Sequence, residues 1–285
     1  MYPICDLHTH SIYSDGTYSP SELLKRAEQA GLSAIALCDH NTVDGLPEFV
    51  AAGAVSSVEA VPGIEFSTAF ANLDLHILAL FVPSCHYCTV NGLLSEGKRA
   101  KEQSNLALVD ALKKGGYIVD YEQIRMSVPN GHINRCHIAA ALTEKGYTAS
   151  IQEAFSTLLS PKGPYYTPPK RPSSFDMISF IRSIGAVSVL AHPLLTMDEK
   201  TLRRFLDTAV PLGLHAMETM YPSYSSETTR LAEEIASAYS LKCSGGSDFH
   251  GSNKPDIAIG IGKGNLQIPL EYLETLKKYA KSPEK

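Results

Sequence analysis

Near its N-terminus the chain has the sequence DLHTHSIYSDG at residues 6–16, directly after the short apolar run at residues 2–5. This pattern predicts a short buried strand that ends in metal-ligand chemistry. Because residues two apart on a strand point to the same face, His8 and His10 can hold one ion between them. Asp15 follows after a polar turn and can add a carboxylate oxygen to the same or a neighbouring ion. The stretch therefore indicates a protein built around a metal site.

Acids and imidazoles follow short apolar runs at several further places in the chain. An isolated His-x-His pair is often only a surface feature, but here the pattern recurs. The residues placed in this way are Asp39, His40, Glu65, His192, Asp248 and His250. His76 is an exception, because it lies early in its apolar run. Parallel α/β barrels assemble their active sites at the C-terminal ends of their strands, so the pattern favours one metal centre over a set of buried structural histidines.

The chain resembles the PHP family, named for polymerase and histidinol phosphatase. The matching motifs follow the family's order, and they are His8-x-His10, Asp15-Gly16, Asp39-His40-Asn41-Thr42, Pro62-Gly63-Ile64-Glu65, His76, Ala191-His192-Pro193 and Gly246-Ser247-Asp248-Phe249-His250. The resemblance implies an α/β fold, a distorted seven-stranded β/α (TIM-like) barrel. It also implies two or three bound divalent ions and the hydrolysis of phosphate esters.

The resemblance further implies how the ions are shared among the ligands. One ion is assigned to His8, His10 and Asp248, a second to Asp15, His40 and His250, and a third to His76 and His192, with Glu65 as the bridge. Mixed imidazole and carboxylate ligation suits Mn²⁺, Fe²⁺ or Zn²⁺ better than Mg²⁺ alone. Three divalent ions carry more positive charge than three carboxylates balance. We therefore expect a cationic floor that suits a phosphate dianion.

The expected chemistry is direct hydrolysis without a covalent intermediate. Two ions about 4 Å apart can bridge and acidify a water, and the resulting hydroxide would attack phosphorus in line with the leaving oxygen. The ions and Arg135 would stabilise the charge that develops on the equatorial oxygens. The residues expected to be catalytic through this arrangement are Asp15, His40, Glu65, His192 and Asp248.

Strands and helices alternate through most of the chain, which predicts a parallel sheet. Ser19-Pro20-Ser21-Glu22 has the pattern of a capping box with proline at the first helical position, and Gly31 suits the helix end. A strand at residues 34–38 should follow this helix. Further helices are predicted at residues 175–183, 199–212, 226–239 and 270–281. We assign residues 1–90 plus 173–285 to a metal-binding barrel.

Residues 91–172 break this alternation and are predicted to be a mostly helical insertion that forms part of the substrate site. Its expected helices cover residues 91–114, 121–126, 135–145 and 151–159. It ends in a proline-rich segment at residues 160–172, which is either a rigid connector or a loop laid over the site. In that second case Lys162, Lys170, Tyr165 or Tyr166 would reach the substrate.

The insertion also carries an Arg-x-His segment, Arg135-Cys136-His137, at a predicted helix start. Helix N-termini attract phosphate, and the arginine fork can hold two phosphate oxygens. The nucleotidase-like branch of the PHP family has a comparable segment, so the resemblance implies that Arg135 and His137 contact substrate phosphate. Cys136 departs from that pattern, in which proline or threonine is more familiar. The alternative is that Arg135 is only a solvated residue of the first helical turn.

The first functional hypothesis is a phosphatase that removes the 3′-phosphate of a 3′,5′-nucleotide bisphosphate. A second enzyme hypothesis is 5′-to-3′ exonuclease action on short oligonucleotides, and a third is hydrolysis of histidinol phosphate. PHP domains also occur as non-catalytic modules, so a regulatory phosphate-binding protein is the alternative outside the enzymes. A metal-dependent turnover assay separates this last possibility from the others.

Composition agrees with a soluble intracellular enzyme, and the family resemblance implies a small phosphorylated substrate, with a nucleotide as the expected partner. The net charge of −5 argues against stable binding of long nucleic acid by bulk electrostatics. No apolar stretch approaches 18 residues, so we expect no membrane partner and a cytoplasmic location. Cys85 and Cys88 form half of a zinc-knuckle pattern, but no second Cys-x-x-Cys completes it. The sequence does not predict an oligomeric state.

Overall fold

Seven strands form one curled sheet in the computed structural model, which describes residues 3–128 and 133–280. The strands are β1 (Cys5–Thr9), β2 (Ala34–Leu37), β3 (Glu59–Phe70), β4 (Leu73–Leu80), β5 (Val187–Leu190), β6 (Ala216–Met220) and β7 (Lys242–Gly245). They follow one another in the sheet in chain order. The edges meet where the N–H of Asp248, after β7, donates to the carbonyl of His8 on β1 at 2.8 Å. The predicted distorted seven-stranded barrel is confirmed.

The expectation of a uniformly parallel sheet is wrong at one strand. β1 to β3 are parallel to one another and β5 to β7 likewise, but β4 runs antiparallel to both β3 and β5. A two-residue turn joins β3 to β4, and Ala71 and Asn72 in it have φ values of 48° and 66°. Positive φ at both central residues is what a tight hairpin requires. The reversal brings the first half of β4 to the sheet edge where the parallel strands end, which explains the position of His76.

Ten helices surround this sheet within the described residues. They are α1 (Pro20–Gln29), α2 (Leu46–Gly53), α3 (Tyr87–Lys114), α4 (Tyr121–Ser127), α5 (Arg135–Glu144), α6 (Ile151–Ser156), α7 (Ser174–Ser183), α8 (Glu199–Leu212), α9 (Ser226–Ala238) and α10 (Leu270–Lys277). None of these helices is both long and apolar enough to cross a bilayer.

Local signals account for where several helices begin and end. Ser19 and Glu22 form the predicted capping box, and Gly31 adopts a φ of 71° after α1. The helix at residues 199–212 has the predicted bounds. α3 begins four residues earlier than predicted, and α6 ends three residues earlier. The predicted end of the last helix at residue 281 lies outside the described residues, within which α10 ends at Lys277.

Both faces of the sheet are buried, which explains the continuous apolar runs of its strands. On β2, Ile35 and Leu37 belong to the core shared with α1, α2 and α7 to α9, whereas Ala34 and Ala36 belong to a second core that includes Leu273 of α10. Helices α3 to α6 lie between β4 and β5 in the chain and share a third apolar cluster. The barrel and this helical segment together frame the site described next.

Candidate metal centre

Six histidines and three carboxylates meet at one edge of the barrel. The ring centroid of His10 lies 5.0 Å from that of His8, 4.5 Å from that of His40 and 4.1 Å from that of His250. His76 lies 5.2 Å from His40 by the same measure. The nine side chains that the sequence singled out are all part of this assembly, and they are His8, His10, Asp15, His40, Glu65, His76, His192, Asp248 and His250.

Three overlapping groups of these residues have the spacing that a metal ion needs. Within each group the ligand atoms lie within 4.8 Å of one another, and the groups are His10, Asp15, His40 and His250; His8, His10 and Glu65; and His40, Glu65 and His76. Asp248 adjoins the second group, because its Oδ1 lies 3.1 Å from Nε2 of His10. His10 belongs to two groups, whereas the grouping that the resemblance implies assigns it to one ion, and Glu65 takes part in two groups, as a bridging ligand would.

Glu65 is the centre of the assembly. The nitrogens of five imidazoles lie within 3.4 Å of its two carboxylate oxygens, and they belong to His8, His10, His40, His76 and His192. Burial alone would raise the pKa of Glu65, but the facing imidazoles of His40, His76 and His8 lower it well below its usual range. Glu65 therefore remains a carboxylate that can serve more than one ion.

Several buried polar atoms of this assembly have no hydrogen-bond partner in the part of the chain that the structure describes. They are His8 Nε2, His10 Nε2, Asp15 Oδ1, His40 Nδ1 and Glu65 Oε2. Burying polar atoms without partners is costly, whereas coordination of a cation satisfies them. The donor set of imidazole nitrogen and carboxylate oxygen is one that Mn²⁺, Fe²⁺ and Zn²⁺ accept. The residues present therefore fit a centre of divalent metal ions.

The backbone is strained around this centre. Asn41, His192 and Asp248 have φ values of 52°, 31° and 52°, in the left-handed region that non-glycine residues rarely occupy. Such positions cost about 1–3 kcal/mol each and concentrate at functional sites. At His192 the conformation is held by a hydrogen bond of 2.6 Å from its N–H to Oε2 of Glu218.

Buried carboxylates that face the protein interior hold the loops of the site. Glu218 on β6 accepts a hydrogen bond from Nδ1 of His8 at 2.9 Å, and Asp39 accepts three from Ser11 and Ser14 at 2.5–2.8 Å. Asp6 does the same for the loop after β7, since Ser247 donates to it at 2.8 Å and 2.5 Å. Glu218 was not predicted from the sequence. Its only signal is a glutamate in the middle of an apolar run, AMETM at residues 216–220.

Asp248 uses its two oxygens differently. Oδ1 faces the imidazoles, whereas Oδ2 accepts hydrogen bonds from the hydroxyl of Tyr221 at 2.7 Å and from Nζ of Lys254 at 2.6 Å. Burial would raise the pKa of Asp248, but Lys254, His250 and His8 together lower it well below its usual range. Tyr221 and Lys254 are two further site residues that were not predicted from the sequence.

A cavity of about 600 Å³ opens beside the metal-ligand cluster. From that cluster Asp15, His40 and His76 line it, and helices α3 and α5 and the proline-rich segment supply the other walls. Its basic lining residues are Lys98, Lys101, Arg135, Lys170 and Arg171. Of these, Arg135 and Lys170 were predicted to reach substrate. Lys98 and Lys101 were not, because lysines on a mostly polar helix are usually solvated, and nor was Arg171 in the proline-rich segment.

The three predicted substrate contacts have different positions. Arg135 lines the cavity, with its guanidinium carbon 4.1 Å from the ring centre of Tyr166. His137 is not among the lining residues, and its Nδ1 accepts the N–H of Asn134 at 3.0 Å, which caps α5. Lys162 is exposed and also lies outside the lining. The proline-rich segment contributes Lys170 and Arg171 to the cavity in its place.

The family model described as the PHP domain matches residues 6–162, which is more than half of the chain. The chain belongs to the PHP family. Among solved structures, a protein described as a metal-dependent phosphoesterase from Bifidobacterium adolescentis superposes with a TM-score of 0.86 at 25% identity. The match covers 98% of this chain and 96% of the other. The family assignment that the motifs indicated is confirmed.

Characterised relatives of this PHP protein have different activities. It is 29% identical over 246 residues to a 5′-3′ exoribonuclease of Haemophilus influenzae, a match that covers 86% of this chain and 89% of that protein. It is 28% identical over 258 residues to a 3′,5′-nucleoside bisphosphate phosphatase of Chromobacterium violaceum, covering 90% of each. Together with the site, these similarities identify the chain as a metal-dependent phosphoesterase, a hydrolase that acts on phosphate esters.

Proposed function

We propose that this PHP protein is a 3′,5′-nucleotide bisphosphate phosphatase that releases the 3′-phosphate. The observation that carries the proposal is that one cavity has two kinds of lining. The side chains of Asp15, His40 and His76 come from the metal-ligand cluster, and those of Lys101 and Arg135 come from the helical segment. A substrate with two phosphates matches both linings, because one phosphate can lie at the metal-ligand cluster while the other meets the basic side chains.

We propose the nine clustered residues as the metal ligands, and they are His8, His10, Asp15, His40, Glu65, His76, His192, Asp248 and His250. When bound, two or three divalent ions supply Lewis-acid charge and acidify a water. Of this set, Asp15, His40, Glu65, His192 and Asp248 are the proposed catalytic residues. Asp15 and His40 line the cavity, and Glu65 lies behind them in contact with His40 and His192, so the ester to be cleaved would lie at this side of the cavity.

The remaining side chains of this chain orient the substrate and hold the ligands. Tyr221 and Lys254 occupy Oδ2 of Asp248, so that only Oδ1 faces the imidazoles. Arg135 stays charged and presents a guanidinium to substrate phosphate. We propose that residues 91–172 are an insertion in a barrel formed by residues 1–90 and 173–285, since they supply one wall of the cavity.

The rest of the cavity suits a nucleoside. Its volume of about 600 Å³ falls within the usual range for small-molecule sites. Leu94, Phe155, Tyr166 and Met177 add an apolar and aromatic surface to the lining. Such a surface can pack against a base, which makes a nucleotide a better match than a small polar phosphate such as histidinol phosphate.

The similarity to the exoribonuclease favours a second candidate, 5′-to-3′ hydrolysis of short RNA. The same basic lining would then hold the 5′-phosphate of an oligonucleotide, and a phosphodiester would take the place of the 3′-monoester. The two candidates share the metal chemistry and differ in the bond that is cleaved. Product identity separates them, because the phosphatase releases inorganic phosphate and the nuclease releases mononucleotides.

The deciding experiment incubates the Mn²⁺-loaded protein with adenosine 3′,5′-bisphosphate and, separately, with a short 5′-phosphorylated oligoribonucleotide. The proposal expects AMP and phosphate from the first substrate at a much higher kcat/KM than cleavage of the second. His8→Ala and Asp248→Ala should abolish turnover, whereas Lys114→Met, at an exposed position on α3 outside the cavity, should not. Faster release of mononucleotides from the oligonucleotide would favour the nuclease. Tight phosphate binding without turnover of either would indicate a regulatory module.

A further inference from the structure

Lys101 projects from α3 into the substrate cavity without a carboxylate partner. Its ammonium contacts Oδ1 of Asn134, and no aspartate or glutamate in the described residues forms an ion pair with it. Lys98, one turn earlier on the same helix, differs in this respect, since it lies 3.5 Å from Oδ2 of Asp44. A partly buried cation without a countercharge is costly unless an anionic ligand supplies one.

Asn134 provides a second, independent sign of a ligand. Its side chain is only 6% exposed and lines the same cavity, yet its Nδ2 has no hydrogen-bond partner among the described residues. It also precedes the first turn of α5, a ten-residue helix whose free N–H groups carry partial positive charge. An unpaired buried amide donor beside a helix N-terminus and an ammonium group is a site for anionic oxygen.

Further positive charge surrounds this pair. Arg135 and Arg171 line the cavity as well. Arg171 is paired with Asp74 at 2.7 Å, whereas Arg135 has no ion-pair partner in the described residues and donates through Nη1 to the carbonyl of Leu159 at 3.2 Å. Burial lowers the pKa of Lys101 to about 8, and the nearby Arg171, Arg135 and Lys98 act in the same direction, although Asp15 opposes them. A phosphate dianion bound here would offset this mutual repulsion.

We infer that Lys101, Asn134 and the N-terminus of α5 form a subsite for the phosphate that is not cleaved. This inference rests on the proposed function, because it places the 5′-phosphate of the bisphosphate at the end of the cavity formed by α3 and α5. The chemistry that the subsite recognises is a terminal phosphate dianion on a nucleoside. A free nucleoside 5′-phosphate and the 5′ end of an oligonucleotide share this group.

The kinetic test compares adenosine 3′,5′-bisphosphate with adenosine 3′-monophosphate, which lacks the 5′-phosphate. For Lys101→Met and Asn134→Ala, kcat/KM for the bisphosphate should fall about 10- to 100-fold, while the monophosphate changes by about twofold or less. Asn134→Asp keeps the size of the side chain but adds a negative charge, so its loss should exceed that of Asn134→Ala. Lys114→Met is the matched control on α3. An equal loss on both substrates would overturn the inference.

A binding measurement separates the subsite from the proposed reaction. AMP has a 5′-phosphate and no 3′-phosphate, so the Mn²⁺-loaded protein should bind it without cleaving it. Isothermal titration should show that Lys101→Met weakens AMP binding at least about tenfold. This result, combined with no turnover of the bisphosphate, would retain the subsite and reject the phosphatase. Turnover of the bisphosphate, combined with unchanged AMP binding in Lys101→Met and Asn134→Ala, would retain the phosphatase and reject the subsite.

Competition identifies the source of the phosphate. If the subsite serves a free nucleotide, AMP should compete with the bisphosphate more effectively than a 5′-phosphorylated trinucleotide does, in the wild type but not in Lys101→Met. Stronger, Lys101-dependent competition by the trinucleotide would assign the subsite to an oligonucleotide 5′ end. Competition that does not depend on Lys101 for either compound would overturn the subsite.

Discussion

Glu218 lies 2.9 Å from Nδ1 of His8, measured from its Oε1, and the side chains of both residues are fully buried. Its other oxygen, Oε2, accepts the N–H of His192 at 2.6 Å. One carboxylate therefore links a candidate ligand on β1 to a candidate ligand just after β5. Because a carboxylate accepts the Nδ1 proton, Nε2 of His8 is left to face Glu65 and the centre.

Replacement of Glu218 by glutamine should weaken metal binding about 10- to 100-fold, the usual effect of losing a carboxylate behind a metal-ligating histidine. The amide accepts through one atom only, so it cannot serve both His8 and the N–H of His192. Titration of the metal-free protein with Mn²⁺ measures the change, and circular dichroism should show a retained fold. Glu234→Gln, at an exposed position on α9, is the matched control. Unchanged affinity in Glu218→Gln would contradict a positioning role for Glu218.

Two glycine-to-alanine substitutions should change stability in opposite directions. A Cβ on Gly246 would lie 2.2 Å from Cβ of His8 and 2.7 Å from its backbone nitrogen, so β1 would have to move. We expect Gly246→Ala to lower the free energy of unfolding by about 1–3 kcal/mol. Gly92 lies inside α3 with nothing within 4 Å of an added Cβ, so Gly92→Ala should raise it by about 0.5–1 kcal/mol.

Urea unfolding at constant metal concentration measures both values, provided that the slope against denaturant concentration is unchanged. Gly246→Ala should also weaken Mn²⁺ binding, because the clash displaces His8, whereas Gly92→Ala should not. Equal stability of the Gly246→Ala variant and the wild type would mean that the chain after β7 is not held against β1 as tightly as the structure shows.

The sequence predicted those features that depend on local chemistry. Ser19 and Glu22 define the start of α1 through side chains within one turn, and acids or imidazoles after apolar runs indicated the residues of the site. His76 showed the limit of this reasoning, because the direction of a strand depends on its sheet neighbours and not on its own residues. The turn at Ala71 and Asn72 is what makes β4 antiparallel. Asn72 is a turn-forming residue, but Ala71 is not, so the pair is a weak turn signal in the sequence.

Glu218 and Lys101 could not be predicted from the sequence for a different physical reason. Glu218 and Lys101 each occur on an element where the sequence pattern favours an unremarkable role, a strand interior for one and a polar helix face for the other. Only the fold brings Glu218 within reach of His8 and turns the face of α3 that carries Lys101 towards the cavity. Contacts between residues more than 30 positions apart, such as Lys101 with Asn134, are not encoded in any local pattern.

The lowered pKa of Lys101 predicts a pH dependence of substrate binding. Burial, with Arg171, Arg135 and Lys98 nearby, lowers this pKa to about 8, while Asp15 opposes the shift. The ammonium is therefore present below pH 8 and is lost as pH rises above it. For adenosine 3′,5′-bisphosphate, kcat/KM should fall across this range relative to its value for adenosine 3′-monophosphate, since kcat/KM reports the free enzyme.

The ratio of the two kcat/KM values, measured from pH 6.5 to 9.5 at saturating Mn²⁺, isolates this effect from titration at the metal centre, which both substrates share. In Lys101→Met the ratio should be low and independent of pH. A ratio that falls equally in the wild type and in Lys101→Met would assign the pH dependence to another group.

Metal binding should stabilise the fold, because the centre buries polar atoms that have no hydrogen-bond partner within residues 3–128 and 133–280. Nε2 of His8 and Oε2 of Glu65 are two of these atoms, and a divalent ion satisfies both. A ligand at 100 times its dissociation constant adds about 2.7 kcal/mol to the free energy of unfolding. For a chain of this size that corresponds to a rise in Tm of roughly 4–5 °C. Differential scanning calorimetry of the wild type with Mn²⁺ and with excess EDTA should show this difference in Tm. The difference should be smaller in Glu65→Gln, because that substitution removes a charge from two of the candidate ion groups. Equal Tm values with Mn²⁺ and with EDTA in the wild type would contradict the metal centre itself.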